Sequence, residues 1–218
     1  MPTPDAIARR ALLQRAAGLG ALALVAPWQS ALAALTATPA QTRGPFFPVQ
    51  LPSESDADLT HVKGAAGRAR GQVIVVSGRV LDRDGKPIKG AVLELWQANA
   101  AGRYDHPRDV NPAPLDPNFQ GYARLVSDDH GRYRFTTIKP GAYPINPVNP
   151  VAVRPPHIHF DVDDKHKHLV TQMYFPGEAG NAKDAIFNAL GASKEAAVAH
   201  ALGEEDDDLR FDWDIVLS

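Results

Sequence analysis

From residue 72 onward the chain falls into short runs rich in Val, Ile, Leu and aromatic residues, each bounded by Gly, Pro, Asp or Asn. That punctuation limits what the chain can fold into more than any other feature. Residues 72–81, 91–96, 122–126, 132–138, 157–162, 169–175 and 211–217 have the length and composition of strands. Asp84-Gly85 with Pro87, and Asp128-Asp129-His130-Gly131, are turn signals, so the runs flanking each read as hairpin-like pairs. Short strands at this spacing predict an all-β chain folded as a β-sandwich. An Ala-rich, helix-permissive stretch between residues 182 and 202 predicts one or two short helices near the C-terminus. The acidic run at 204–208 lacks the ligand spacing of a calcium loop and reads as a solvated turn.

Two loops are too long for simple connections. One spans residues 99–120; the other spans 139–155 and carries Pro140, Pro144, Pro147, Pro150 and Pro155. Loops of this length in a compact domain are usually functional or disordered, and proline stiffens the second without regular structure. Residues 34–70 are polar and irregular, and read as an arm laid over a sandwich domain at 71–218.

Residues 1–33 have the pattern of an export signal. Arg9-Arg10 precede an apolar stretch at 16–26, and Ala31-Leu32-Ala33 gives a small-x-small cleavage pattern. The paired arginines resemble a twin-arginine signal, with Ala8 and Leu12 as tolerable departures. The apolar run is shorter than the ~20 residues of a membrane span. The expectation is therefore a periplasmic protein with no stable membrane insertion after processing. The chain has no cysteine, which excludes thiolate zinc sites, iron–sulfur clusters and a cysteine nucleophile. A formal net charge of -2 offers no basic footprint for nucleic acid.

Chemistry concentrates at His157-Ile158-His159. Two histidines one residue apart on a strand point to the same face and offer two nitrogens to a metal. The spacing alone is unspecific: His166-Lys167-His168 repeats it among Asp163, Asp164 and Lys165, where a solvated turn is the simpler reading. A metal needs further ligands, and phenolate oxygen is hard and anionic, suited to ferric iron. Of five tyrosines, Tyr122, Tyr133 and Tyr174 lie in predicted strands, where packing is the default. Tyr104 and Tyr143 lie in the two long loops, where packing explains less. The residues by themselves do not choose the pair further.

The blocks Trp96-Gln97-Ala98-Asn99, Gly102-Arg103-Tyr104, Pro114-Leu115-Asp116-Pro117, Gly141-Ala142-Tyr143-Pro144, Arg154-Pro155-Pro156-His157-Ile158-His159-Phe160, Thr171-Gln172-Met173-Tyr174-Phe175 and Arg210-Phe211-Asp212-Trp213-Asp214 occur in this order. In order and spacing the chain resembles the intradiol ring-cleavage dioxygenases, most of all the protocatechuate-type branch, over about residues 38–218. The resemblance implies a β-sandwich with long active-site loops and a non-haem Fe(III) held by Tyr104, Tyr143, His157 and His159. It implies that Arg154 and Gln172 stand beside the substrate, with Tyr143 leaving the metal to accept a substrate proton. Thr42 and Gly44 match a segment that lines the substrate carboxylate pocket in the family's α subunits. Ile145 stands where the family usually has an aromatic, and Val153 where it usually has Trp, so pocket shape differs here. The implied partners are a small aromatic diol and O2, in a homo-oligomer. The implied reaction cleaves protocatechuate or a related catechol to a cis,cis-muconate-type diacid. Two alternatives stand beside it: a hydroxyquinol or catechol 1,2-dioxygenase, and a non-catalytic transthyretin-like binding module, whose opening hairpin residues 80–91 also resemble.

Overall fold

A computed structural model describes residues 34–148, 151–206 and 208–218; the leader-like segment 1–33 lies outside them. Among the described residues, strands form two main sheets. One joins β1 (Val73–Asp82) to β4 (Arg132–Ile138) on one side. On its other side β1 pairs in parallel with β10 (Asp208–Asp212) and then β11 (Ile215–Leu217), and β9 (His200–Glu205) extends the sheet beyond β10. The second sheet runs β3 (Tyr122–Val126), β2 (Val92–Trp96), β7 (His157–Asp163), β8 (His168–Tyr174), antiparallel throughout.

The sheets pack face to face because each presents alternate apolar residues. Ile74, Val76 and Val80 of β1 and Phe135 of β4 meet Leu93, Leu95, Ile158, Phe160 and Val162 of the other sheet in one core cluster. This is the period-two pattern of strands. Each full burial of such a side chain contributes about 1.5–3 kcal/mol.

The all-β sandwich is as expected, but three local readings change. The runs around Asp84-Gly85 are not one hairpin: Asp82 N–H donates to Lys86 O and Ile88 N–H to Val80 O, and the chain then crosses to the other sheet. The runs around 128–131 likewise belong to different sheets. A two-layer sandwich buries both apolar faces better than a ribbon would. Residues 211–217 are also not one strand. They break at Trp213-Asp214, where Trp213 N–H donates to Ser77 O and Asp214 Oδ1 accepts from the Arg79 N–H at 2.8 Å. The Ala-rich stretch holds a four-residue helix, α1 (Ala185–Asn188), between 3-10 turns at Asn181–Lys183 and Gly191–Ala197. Helical structure ends there, and the last residues of the stretch open the exposed strand β9 instead.

The arm is tied down along its length. Thr38 N–H donates to Val216 O, Gln41 N–H to Val170 O, and Leu59 N–H to Thr136 O. Leu59 itself is fully buried. The first stretch of the arm therefore runs along the edge strand β8, and beyond it Gly44 and Phe47 lie against His159 and Trp96 on the outer face of the second sheet.

Candidate metal centre

On β7, Ile158, Phe160 and Val162 enter the core, so His157, His159 and Asp161 face outward. Register then decides their neighbours. Tyr174 is opposite His157, and Gln172 and Trp96 are opposite His159. The Trp96 indole stacks on His159 at 4.8 Å between centroids and 10° between planes. Although they leave the sandwich core, Trp96, His157, His159, Gln172 and Tyr174 are each at most 2% exposed. The arm and both long loops seal this face.

Tyr104 comes from the 99–120 loop, which side chains hold in place of a ladder. Asn99 Oδ1 accepts from the N–H groups of Ala101 and Arg103, Asn111 Nδ2 donates to Gly102 O, and Asp109 Oδ2 accepts from Tyr104 N–H at 2.7 Å. Tyr143 sits on a two-residue strand, β5 (Tyr143–Pro144), not in the irregular loop that the sequence suggests. It pairs with β6 (Val153–Arg154), which places Tyr143 directly opposite Arg154. The two tyrosine-bearing loops touch at Gly102, where φ is +77° and a Cβ would lie 2.3 Å from Ala142 O. Gly102→Ala is therefore expected to lower stability by about 2–4 kcal/mol, from left-handed strain plus displacement of the Tyr143 loop. Denaturant unfolding of the two proteins measures it; an unchanged midpoint would show that the loops do not depend on this close approach.

The four predicted ligands converge. Ring centroids lie 5.5 Å apart for Tyr104 and Tyr143, 4.9 Å for His157 and His159, 5.6 Å for Tyr143 and His157, and 6.3 Å for Tyr104 and His159. Burial, then the Arg154 charge, pushes the His157 imidazolium down to about 3. Burial, then His157 and Arg154, holds His159 well below the usual range. Both rings are thus neutral, with a lone pair to give. His157 Nδ1 lies 2.7 Å from Pro155 O, an acceptor, so Nδ1 carries the proton and Nε2 the lone pair. That Nε2 is 3.5 Å from the Tyr143 hydroxyl. Burial raises the Tyr104 phenol well above 10, with the neighbouring Tyr143 adding to it, and burial raises Tyr143 as well. Tyr104 Oη is buried without a hydrogen-bond partner, as is His159 Nδ1. Orphaned polar atoms at such a convergence are what a bound cation satisfies. Among the described residues no group of three or more His, Cys, Asp or Glu could hold a metal. A metal bound here would have the two phenols as its oxygen donors, and a donor set of two phenols and two imidazoles suits ferric iron.

Arg154 borders this cluster and is 5% exposed. Its Nε donates to Asp184 Oδ2 at 3.1 Å, and its Nη2 to Gln172 Oε1 at 2.7 Å and Tyr174 Oη at 2.9 Å. Gln172 Nε2 in turn donates to Thr42 O at 2.9 Å. Gly44, at φ +70°, lies so close to His159 that a Cβ would sit 3.2 Å from its Cε1. Thr42 is exposed, and its Oγ1 accepts from Gly44 N–H at 3.1 Å. Ile145 is 60% exposed just past Tyr143. His166 is exposed in a turn, as expected, whereas His168, also exposed, opens β8 and its Nε2 lies 2.6 Å from Asp161 Oδ1.

Three participants escape the sequence reading. Tyr174 reads there as packing, yet it is two residues from Gln172 on one strand and so shares its face; that signal is present. Phe46, from the arm, stacks on Tyr104 at 4.7 Å. Asp184 arrives from a helix cap, and nothing in its local sequence marks it.

Comparison with known proteins agrees with this geometry. The Dioxygenase family model matches residues 42–218. The chain is 49% identical over 168 residues to the protocatechuate 3,4-dioxygenase beta chain of Burkholderia cepacia, covering 74% of this chain and 71% of that one. It is 33% identical to the alpha chain from the same organism, covering 75% and 83%. The solved dioxygenase domain of a carbohydrate-binding fusion from Streptomyces sp. SirexAA-E superposes with a TM-score of 0.63 at 29% identity, covering 84% of this chain and 98% of that domain. With two phenols and two imidazoles gathered under a cationic arginine, the chain belongs to the intradiol ring-cleavage dioxygenases.

Proposed function

We propose that the protein holds one ferric ion through Tyr104, Tyr143, His157 and His159 and cleaves protocatechuate, or a closely related catechol, with O2. The product is a cis,cis-muconate-type diacid that carries both atoms of the O2. The carrying observation is the convergence of two buried phenols, one without a hydrogen-bond partner, on two neutral imidazoles. Ferric iron, when bound, supplies the charge that makes both phenols anionic and renders a bound catechol reactive toward O2.

The chain's own groups do the rest. Tyr143 Oη, as a phenolate, would accept the proton of one substrate hydroxyl, which is general-base work. The His157 Nδ1–H bond to Pro155 O fixes the tautomer that presents Nε2. Arg154, cationic at every working pH, stabilises negative charge that develops on the ring in a site closed to water. Phe46, stacked on Tyr104, and Trp96, stacked on His159, contribute to that closure.

The protocatechuate preference is supported by the beta-chain relative and by the Thr42–Gly44 turn. Thr42 Oγ1 already accepts from Gly44 N–H, so its own O–H remains to donate to a substrate carboxylate. Similarity to both the alpha and the beta chain supports an assembly of like chains in which one sequence serves both parts. The twin-arginine pattern supports export to the periplasm.

A visible spectrum with an iron assay, then protocatechuate added without oxygen, tests the reading. The expected result is a red-brown protein with about one iron per chain, whose band shifts on adding substrate. A protein that stays colourless after reconstitution with ferric iron would refute it and favour the non-catalytic binding module. Oxygen uptake with protocatechuate, catechol and hydroxyquinol then ranks the substrates.

A further inference from the structure

Asp184 does two jobs with two oxygens. Oδ1 accepts the Ile186 N–H at 3.1 Å and caps α1. Oδ2 accepts Arg154 Nε at 3.1 Å and lies 3.2 Å from the Tyr174 hydroxyl, which donates to it. The carboxylate is 3% exposed, so water does not compete for either bond. A guanidinium is planar, and fixing Nε and Nη2 fixes its rotation. Here Asp184 takes Nε, Gln172 and Tyr174 share Nη2, and Nη1 is left without a hydrogen bond to a described residue. The cap makes the carboxylate rigid, and Phe187 of α1 packs on Tyr174 at 4.7 Å, closing the group from behind.

We propose that Asp184, with Tyr174 as its relay, is the positioning residue that fixes the orientation of the Arg154 guanidinium beside Tyr143 and the metal cluster. This rests on the ring-cleavage function proposed above. The Arg154–Asp184 pair is buried on both sides, with side chains 6% and 2% exposed. Such pairs are not needed for stability when apolar packing could replace them. A role in holding one orientation accounts for it.

Asp184→Asn separates the two jobs. Asparagine caps helices as well as aspartate does, so the α1 cap is kept, while the charge that grips Nε is lost and the uncompensated Arg154 strongly lowers stability. The expected result in the iron-loaded protein is a 10–100-fold fall in kcat. KM, anaerobic protocatechuate affinity and iron content should stay within about twofold, because Arg154 acts on charge that develops after binding. A crystal structure of the variant should show the guanidinium plane turned and Nε no longer hydrogen-bonded to residue 184. Tyr174→Phe leaves the cap untouched and provides a second route, with an expected 3–10-fold fall in kcat alone. If both variants turn over like the wild type, or if kcat falls only together with iron content, the proposal is overturned. If Asp184→Asn does not fold, Tyr174→Phe decides by the same criteria. A wild-type protein that binds iron but cleaves no catechol would instead sink the underlying function, a different outcome.

Discussion

Tyr104→Phe is expected to abolish metal retention while leaving the metal-free fold as stable as before or more stable. The two effects have opposite signs because the hydroxyl has no structural duty. Tyr104 Oη is buried and makes no hydrogen bond, so without a cation it is a desolvated polar group that destabilises the chain. Deleting it relieves about 1 kcal/mol or more. The ring stays, and with it the stack on Phe46 and the edge-on packing against Tyr143. Loaded with iron, the same hydroxyl becomes a charged ligand. Partners that merely touch a metal ligand are worth about 10–100-fold in affinity, so loss of a ligand should exceed 100-fold. Iron analysis after dialysis, the visible band, and denaturant unfolding of metal-free protein measure the three quantities. A Phe variant that keeps its iron and colour would remove Tyr104 from the ligand set. One that unfolds more easily would mean the hydroxyl is a structural group after all.

That sign reversal also explains what the sequence could and could not convey. His157 and His159 are legible because strand alternation is local: two residues on, same face. Gln172 and Tyr174 obey the same rule, and Tyr174 is misread only because a strand tyrosine is usually packing. Tyr104 and Tyr143 come from resemblance, since nothing local says that two loops about 40 residues apart will touch. What makes them touch is a pair of close approaches. Gly102 needs its missing Cβ to reach Ala142, and Gly141 N–H donates to Asn99 O. The core strand runs β1, β2, β3, β4, β7 and β8 are legible nearly to the residue, whereas β5, β6, β9, the break between β10 and β11, and the pairing are not. Residues 73–82 and 92–96 look like a hairpin in sequence, but sheet assignment depends on which faces bury together, a property of the whole chain. Asp184 lies beyond any local rule, because its meaning is a bond to Arg154, 30 residues earlier.

Arg154 carries the second large effect, and the choice of substitution decides what is measured. Arg154→Ala removes a cation from beside Asp184, whose side chain is 2% exposed, and leaves that carboxylate without its charge partner. Breaking one side of such a pair costs about 3–5 kcal/mol, so lost activity in this variant confounds chemistry with folding. Arg154→Lys keeps a cation near Asp184 and loses the planar fork that meets Gln172 and Tyr174 together. Its unfolding free energy should therefore change by no more than about 1–2 kcal/mol, with iron content unchanged. Its kcat should fall by about 10²–10³-fold, the range for removing one preorganised donor from a charge-stabilising site. The comparison separates two physical roles of one side chain: charge, which lysine shares, and direction, which it does not. If Arg154→Lys turns over normally, direction is irrelevant and the buried network around the guanidinium serves only to hold the β5–β6 ladder beside α1. If it loses turnover at full iron, the orientation of this one side chain is part of the catalytic machinery. Ile145, just past β5, and Val153, on β6, would then tune which catechol is presented to it.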